Sequence, residues 1–255
     1  MFFLSIYKYK ILCVLMMTFF MGRSWSLQTI TVIGELFPPM TNADGSGQQF
    51  DIVKAIFEPL GYKVVTKVYP YKRAIYILES GQADILVGLL KDSELKLTFS
   101  KYPHDADNIV VIYPKDKEII WRGINTLKNK NIAVIPGVQK PLEKYVSTDG
   151  LMLNEVNTRD QAYKKMLIGR DDFLIDCECG YLLKEVEQYR ERFTFERIGR
   201  LDIFAGFSRN EKSLKLKNIW DAKFPQFILT DQAHDIYKKW GLLREYKVIK
   251  KVQMN

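Results

Sequence analysis

Histidine and cysteine are scarce: the 255 residues include two histidines and three cysteines. That scarcity excludes a disulfide-built scaffold. Zinc takes four ligands in a structural site and usually three protein ligands in a catalytic one. His104 and His234 lie far in sequence from the cysteines, so no metal is expected. Long runs of one charge are missing as well. Lys and Arg outnumber Asp and Glu by 38 to 30, for a net charge of +8, but the two signs interleave, as in Arg190-Glu191-Arg192. Such a pattern describes a solvated surface and not a nucleic-acid patch. Beyond the N-terminal leader no apolar run approaches the roughly 20 residues of a spanning helix, so the mature chain is not expected to cross a membrane. Nor is there a Gly-x-Ser-x-Gly elbow, a His-Glu-x-x-His helix or a phosphate-binding loop.

What is present begins with Lys8 and Lys10, an apolar stretch from Ile11 to Met21, and Ser24-Trp25-Ser26. Small residues stand at both positions a signal peptidase reads, so residues 1–26 are expected to be a cleaved secretory signal. The apolar stretch is about half the length of a membrane anchor. Removing Lys8, Lys10 and Arg23 takes the net charge from +8 to +5, and Cys13 leaves with them. Cys177 and Cys179 remain, two apart in sequence. A bridge at that spacing lies near the outer limit of disulfide geometry, which leaves a strained bridge or two buried thiols.

The mature chain alternates strands and helices. Gln28 to Gly34 alternates Thr with Ile and Val and reads as a strand, stopped by Pro38-Pro39. A helix is expected from Gln48 to Leu60, carrying Phe50, Val53, Ile56, Phe57 and Leu60 at helical spacing, with Gly61 as its C-cap. Further strands are expected at Tyr62–Tyr69, Asp84–Leu90, Asn108–Tyr113, Leu151–Val156, Phe173–Cys177 and Asp202–Ser208, and a fresh unit near Ile132–Val134. Helices fall at Tyr71–Ser80, from about Pro141 to Ser147, at Arg159–Ile168 and in the C-terminal tail. This alternation implies crossover units and a mostly parallel α/β sheet. The reading is two lobes: residues 27–112 with the return segment 205–255, and an inserted lobe over 113–204.

In this order, Gly47 to Ile56 (Gly-x-x-x-Asp-Ile-Val-Lys-Ala-Ile), Pro70 to Ala74, Gly81 to Asp84, Phe99-Ser100 followed by Tyr102-Pro103, and Leu127 to Val134 leading into Gly137 resemble the type II periplasmic solute-binding proteins, family 3, the group that includes the polar amino-acid binders. The resemblance implies an α/β, two-lobed periplasmic binding protein-like fold: two mostly parallel sheets joined by two hinge strands. It also implies a monomer in the periplasm that closes on a small polar solute, an amino acid or a related amine or carboxylate, and delivers it to an ABC permease. No cofactor is implied. Ligands of open parallel sheets bind outside the carboxyl ends of the strands, where loops and helix N-termini point inward.

The family pattern transfers unevenly. Family members place a carboxylate-clamping arginine six residues before the Phe-Ser pair; here that position is Ser93, and Lys91 is a partial stand-in, because a guanidinium fork is not matched by a point charge. The family's Gly-Thr at a helix start becomes Gly137-Val138-Gln139, keeping backbone donors and losing the hydroxyl. The amine acceptor at the end of the Phe173–Cys177 strand falls to Asp176 or Glu178, and Glu35 lies in a first-lobe loop. Each is a site carboxylate or a structural one. Phe37, Tyr71 and Tyr102 are candidates to stack on a ligand or hold a cation, and Arg73 to bind a carboxylate. Two other functions remain open: a sensing module that docks on a membrane receptor, and a dehydratase on the same fold, which would need an acid in a closed cleft.

Overall fold

The computed structural model describes residues 27–254 apart from 92–93, 136–137, 146 and 183; the expected leader, Ser93 and Gly137 lie outside the described residues. In chain order the elements are β1 (Gln28–Gly34), α1 (Gln48–Phe57), β2 (Tyr62–Val68), α2 (Tyr71–Glu79), β3 (Ile85–Leu90), β4 (Thr98–Phe99), β5 (Asp105–Pro114), β6 (Asn131–Val134), α3 (Gln139–Glu143), β7 (Met152–Glu155), α4 (Arg159–Leu167), β8 (Phe173–Cys177), α5 (Glu178–Leu182), β9 (Phe193–Phe207), α6 (Glu211–Phe227), α7 (Asp231–Lys239) and α8 (Leu243–Met254). Helix α1 stops where Pro59 enters a 3-10 turn, and Gly61 caps that turn in the left-handed region at φ 83°.

The two expected sheets are hydrogen-bonded into one, in the order β2-β1-β3-β9-β5-β8-β6-β7 with β4 beside β9. The reason is the length of β5 and β9. They pair antiparallel from Asp105–Ile203 to Pro114–Phe193, with one register shift between Ile109 and Val110, so the ladder continues through the region where the halves meet. Strands β1, β2 and β3 are parallel to one another, as are β6, β7 and β8, and antiparallel pairs lie in the middle. Strand β9 begins nine residues earlier than its sequence suggests. Glu196, Arg197 and Arg200 make Phe193–Leu201 read as a loop, yet their side chains stand on a ladder that β5 completes.

Three apolar clusters follow from the pleat. Ile30 and Val32 of β1 face Phe50, Phe57, Trp220 and Tyr237, while Ile33 on the opposite face meets Leu78 and Leu86 beneath α2. A separate cluster, with Ile112, Ile132, Tyr163, Phe173 and Ile175 at its centre, draws its members from positions 109–201. The first half therefore packs helices on both faces of its strands, and the second has a core of its own.

His104 and Asp105 are buried in the first half, where Trp220 meets the His104 ring edge-on and Tyr237 Oη donates to the His104 carbonyl. Burial lowers the His104 pKa to about 3. Burial also raises Asp105 to about 7, against hydrogen bonds from the Ala106 N–H and Gln49. His104 costs stability as pH falls from its unfolded value of about 6.5, and Asp105 costs stability as pH rises from its unfolded value of about 4 towards its folded one. The two contributions oppose each other over the shared range and nearly cancel. Asp105→Asn removes one of them, so between pH about 4 and 6.5 its melting temperature should climb with pH more steeply than that of the wild type. Parallel slopes in the two proteins would refute this assignment.

Candidate functional site

The carboxyl ends of the two parallel strand groups face each other. From the first half come the loop after β1 and the start of α2; from the second come the end of β7 and the start of α4. Contacts cross between them: Lys72 Nζ lies 2.7 Å from Glu155 Oε1, and the Arg159 guanidinium lies 5.2 Å from the centre of the Phe37 ring.

Arg159 is the side chain around which this cleft is organised, and local sequence fixes its place. Thr158 caps α4 by accepting from the Gln161 N–H at 3.2 Å, while Gln161 Oε1 accepts from the Asn157 N–H at 3.3 Å. The Thr-x-x-Gln spacing is a capping box, so Arg159 stands at the first helical position. A cation there opposes the helix dipole. The carboxylate of Asp176, at the end of β8, offsets this with two hydrogen bonds, Nε to Oδ2 at 2.7 Å and Nη2 to Oδ1 at 3.0 Å. Burial works against the arginine's charge, but Asp176 outweighs it and holds the pKa above its ordinary value. Asp176 uses only the Nε–Nη2 edge of the guanidinium. Cys177 Sγ also accepts from Nη2 at 3.7 Å, and among the described residues no hydrogen bond occupies Nη1, whose two N–H groups can still take a carboxylate.

Phe37 is held where it meets this group by a tight loop: its N–H donates to the Thr41 carbonyl at 2.9 Å, and its own carbonyl accepts from Met40 and Thr41. Glu35, half-buried in the same loop, accepts at its carbonyl from the Thr41 hydroxyl. Tyr71 opens α2 and packs against the apolar cluster under that helix. Arg73, two residues on, is exposed and stacks 5.6 Å from the Tyr69 ring, lining a cavity of about 370 Å3 with Thr31, Lys67 and Gln82, all of the first half. Asp176 and Arg73, expected at one mouth, thus make separate contacts.

The remaining candidates are dispersed. The Lys91 ammonium lies 4.1 Å from the Phe204 ring, where partial burial lowers its pKa against the pull of Asp221 and Asp202. Tyr102 packs against the first-half core under the Lys101 ammonium, 5.0 Å away. Val138 is buried in the second-half core and its N–H donates to the Ile135 carbonyl at 3.2 Å, while Gln139 is exposed at the start of α3. Glu178 is nearly enclosed: Arg197 reaches it at 2.5 and 2.8 Å, Asn108 Nδ2 at 2.6 Å and Arg244 at 3.4 Å. The Arg197 hydrogen bonds prevail over burial, and with help from Asn108 and Arg244 they hold the Glu178 pKa at about 2. That network ties β5, β9 and α8 together.

Sequence reasoning missed Arg159, Lys72 and Glu155. The capping box was the available signal for Arg159, since it fixes the first residue of the helix; nothing local marks the other two, whose pairing spans 83 positions.

Two α/β halves that share strands and face each other across a cleft define a solute-binding protein. The chain belongs to the bacterial extracellular solute-binding proteins, family 3, whose model matches residues 30–243. No curated protein matches the chain. Among solved structures it is similar to a histidine kinase sensor domain with similarity to periplasmic binding proteins, at a TM-score of 0.69 and 18% identity, covering 84% of this chain and 96% of that one. It is similar to an ancestral arginine-binding protein bound to glutamine, at 0.66 and 22%, covering 84% and 98%. A Streptococcus pneumoniae ABC uptake transporter substrate-binding protein with bound histidine gives 0.65 and 18%, covering 83% and 92%. Among the described residues no helix is long and apolar enough to cross a membrane.

Proposed function

We propose that the chain captures a small polar solute bearing a carboxylate, an amino acid or a related compound, by closing its two halves, and hands it to an ABC permease. The observation that carries this reading is the half-used guanidinium of Arg159, held by Asp176 from one half and faced by Phe37 from the other. A solute carboxylate at its Nη1 end would make charge-assisted hydrogen bonds while the Phe37 ring covers it. Such a contact supplies what the family's arginine, replaced by Ser93, no longer does.

The lobes are taken as residues 27–112 with 205–255 and residues 113–204, with hinges in β5 and β9. Separate apolar clusters support the division. Weak direct closure supports the motion: the Lys72–Glu155 pair is largely exposed and worth about 0–1 kcal/mol, and a cation–π contact adds about 0.5–2 kcal/mol. The Arg244–Glu178 pair also joins the lobes, but beside the hinge strands, so without solute the mouth can open. A thermal-shift screen of amino acids, amines and small carboxylates tests the reading. A carboxylate at 100 times its dissociation constant should stabilise the chain by about 2.7 kcal/mol, whereas stabilisation by simple amines alone would refute it.

Export accompanies this function. Mass spectrometry of the protein from a periplasmic extract should find Leu27 at its N-terminus, and a chain that still begins at Met1 would contradict the cleavage.

A further inference from the structure

Beside the cleft, the two thiols that sequence left unassigned meet a carboxylate 70 residues away. Cys177 Sγ and Cys179 Sγ are 3.1 Å apart, and one oxygen of Asp107 joins them so that all three donor atoms lie within 4.8 Å of one another. We propose that Asp107, Cys177 and Cys179 form a three-donor site for a thiophilic divalent cation of the zinc class, with its fourth position open.

The surroundings of the three donors favour a metal over a bare thiol pair. Asp107 is buried and doubly oriented: its Oδ2 accepts from the Cys179 N–H at 3.0 Å and its Oδ1 from the Asn108 N–H at 2.8 Å. Cys177 Sγ receives the Gly180 N–H at 3.2 Å and lies 3.7 Å from Arg159 Nη2. These are the outer partners that hold metal ligands in place. A disulfide has no use for the carboxylate. A divalent cation needs that anion. Charge nearly balances: Asp107, Asp176, Glu178 and Glu245 face Arg159, Arg197 and Arg244, so two thiolates and one divalent cation leave the cluster at −1.

Geometry asks for a small adjustment. Tetrahedral zinc at about 2.3 Å from each sulfur would set them roughly 3.8 Å apart, so the pair must spread by about 0.7 Å. Cys177 packs against the second-half core and Cys179 against the first, so the cation would sit where the halves join. Sequence spacing concealed the site because a search among histidines and cysteines passes over an aspartate on another strand.

The test is a titration of the reduced chain from Leu27 onward, without a histidine tag and under anaerobic conditions, with cadmium(II) as the probe. One equivalent should produce thiolate-to-cadmium charge-transfer absorbance of two sulfurs, and zinc(II) should displace it. Cys177→Ser and Cys179→Ser should each lose the two-sulfur signal, and Asp107→Asn should weaken cadmium affinity on the order of 10- to 100-fold. Metal-free melting of each variant checks folding, and the asparagine variant carries the test if a serine variant does not fold. Absence of the absorbance, a signal from one sulfur only, or an affinity unchanged in Asp107→Asn would overturn the proposal.

Discussion

Asp176→Ala is expected to cost about 3–5 kcal/mol of stability in the absence of any solute. The carboxylate is 1% exposed and its guanidinium partner 12% exposed, so truncation leaves Arg159 charged, desolvated and without its counter-ion. For a chain of this length a loss of 1 kcal/mol lowers the melting temperature by about 2–4 °C, which predicts a fall of about 6–20 °C. The rest of the pair sharpens the test. Replacing both partners together, Asp176→Leu with Arg159→Met, should recover much of the loss, because an apolar pair carries no desolvation penalty. A single variant that melts with the wild type would show that the pair is open to water in solution. Asp176 therefore acts on the site mainly by holding Arg159 in place.

Arg159→Lys should weaken binding of a carboxylate solute by about 10- to 150-fold, equivalent to about 1.5–3 kcal/mol for a hydrogen bond to a charged group. Lysine keeps the charge that Asp176 needs, so the fold should suffer much less than in the alanine variant. What it loses is the Nη1 donor pair, held in the plane that Asp176 fixes. Calorimetric titration of both proteins with the carboxylate found by thermal shift measures the difference. Equal affinities would remove Arg159 from the solute contact and return attention to Arg73 and Lys91.

Strands and helices with apolar periodicity were legible from the chain: β1 and β8 have the bounds their alternation and apolar runs suggest, and α1 buries Phe50, Val53, Ile56 and Phe57 as their spacing requires. Helix α3 was less so. It begins at Gln139 and ends at Glu143, earlier than the apolar pattern near Pro141 to Ser147 suggests, because proline is at home in a first turn. The first nine residues of β9 were illegible for another reason: their charges are paid for across the sheet, by Glu178 meeting Arg197, and pairing at that range leaves no local trace. The site divides along the same line. Phe37 and Asp176 stand near loops whose prolines or strand ends announce them, but their common partner Arg159 was read only as the start of a helix. Glu178 and Asp176, two residues apart, meet different arginines because β8 ends at Cys177 and Glu178 already opens α5.

Small-angle scattering of the mature chain, with and without the carboxylate that stabilises it, tests the clamp most directly. The solute-free chain should scatter as a more open particle than the structure described here, and a saturating solute should reduce its radius of gyration to the value calculated from that structure. A radius of gyration unchanged by a solute that calorimetry shows to be bound would contradict capture by closure of the two halves.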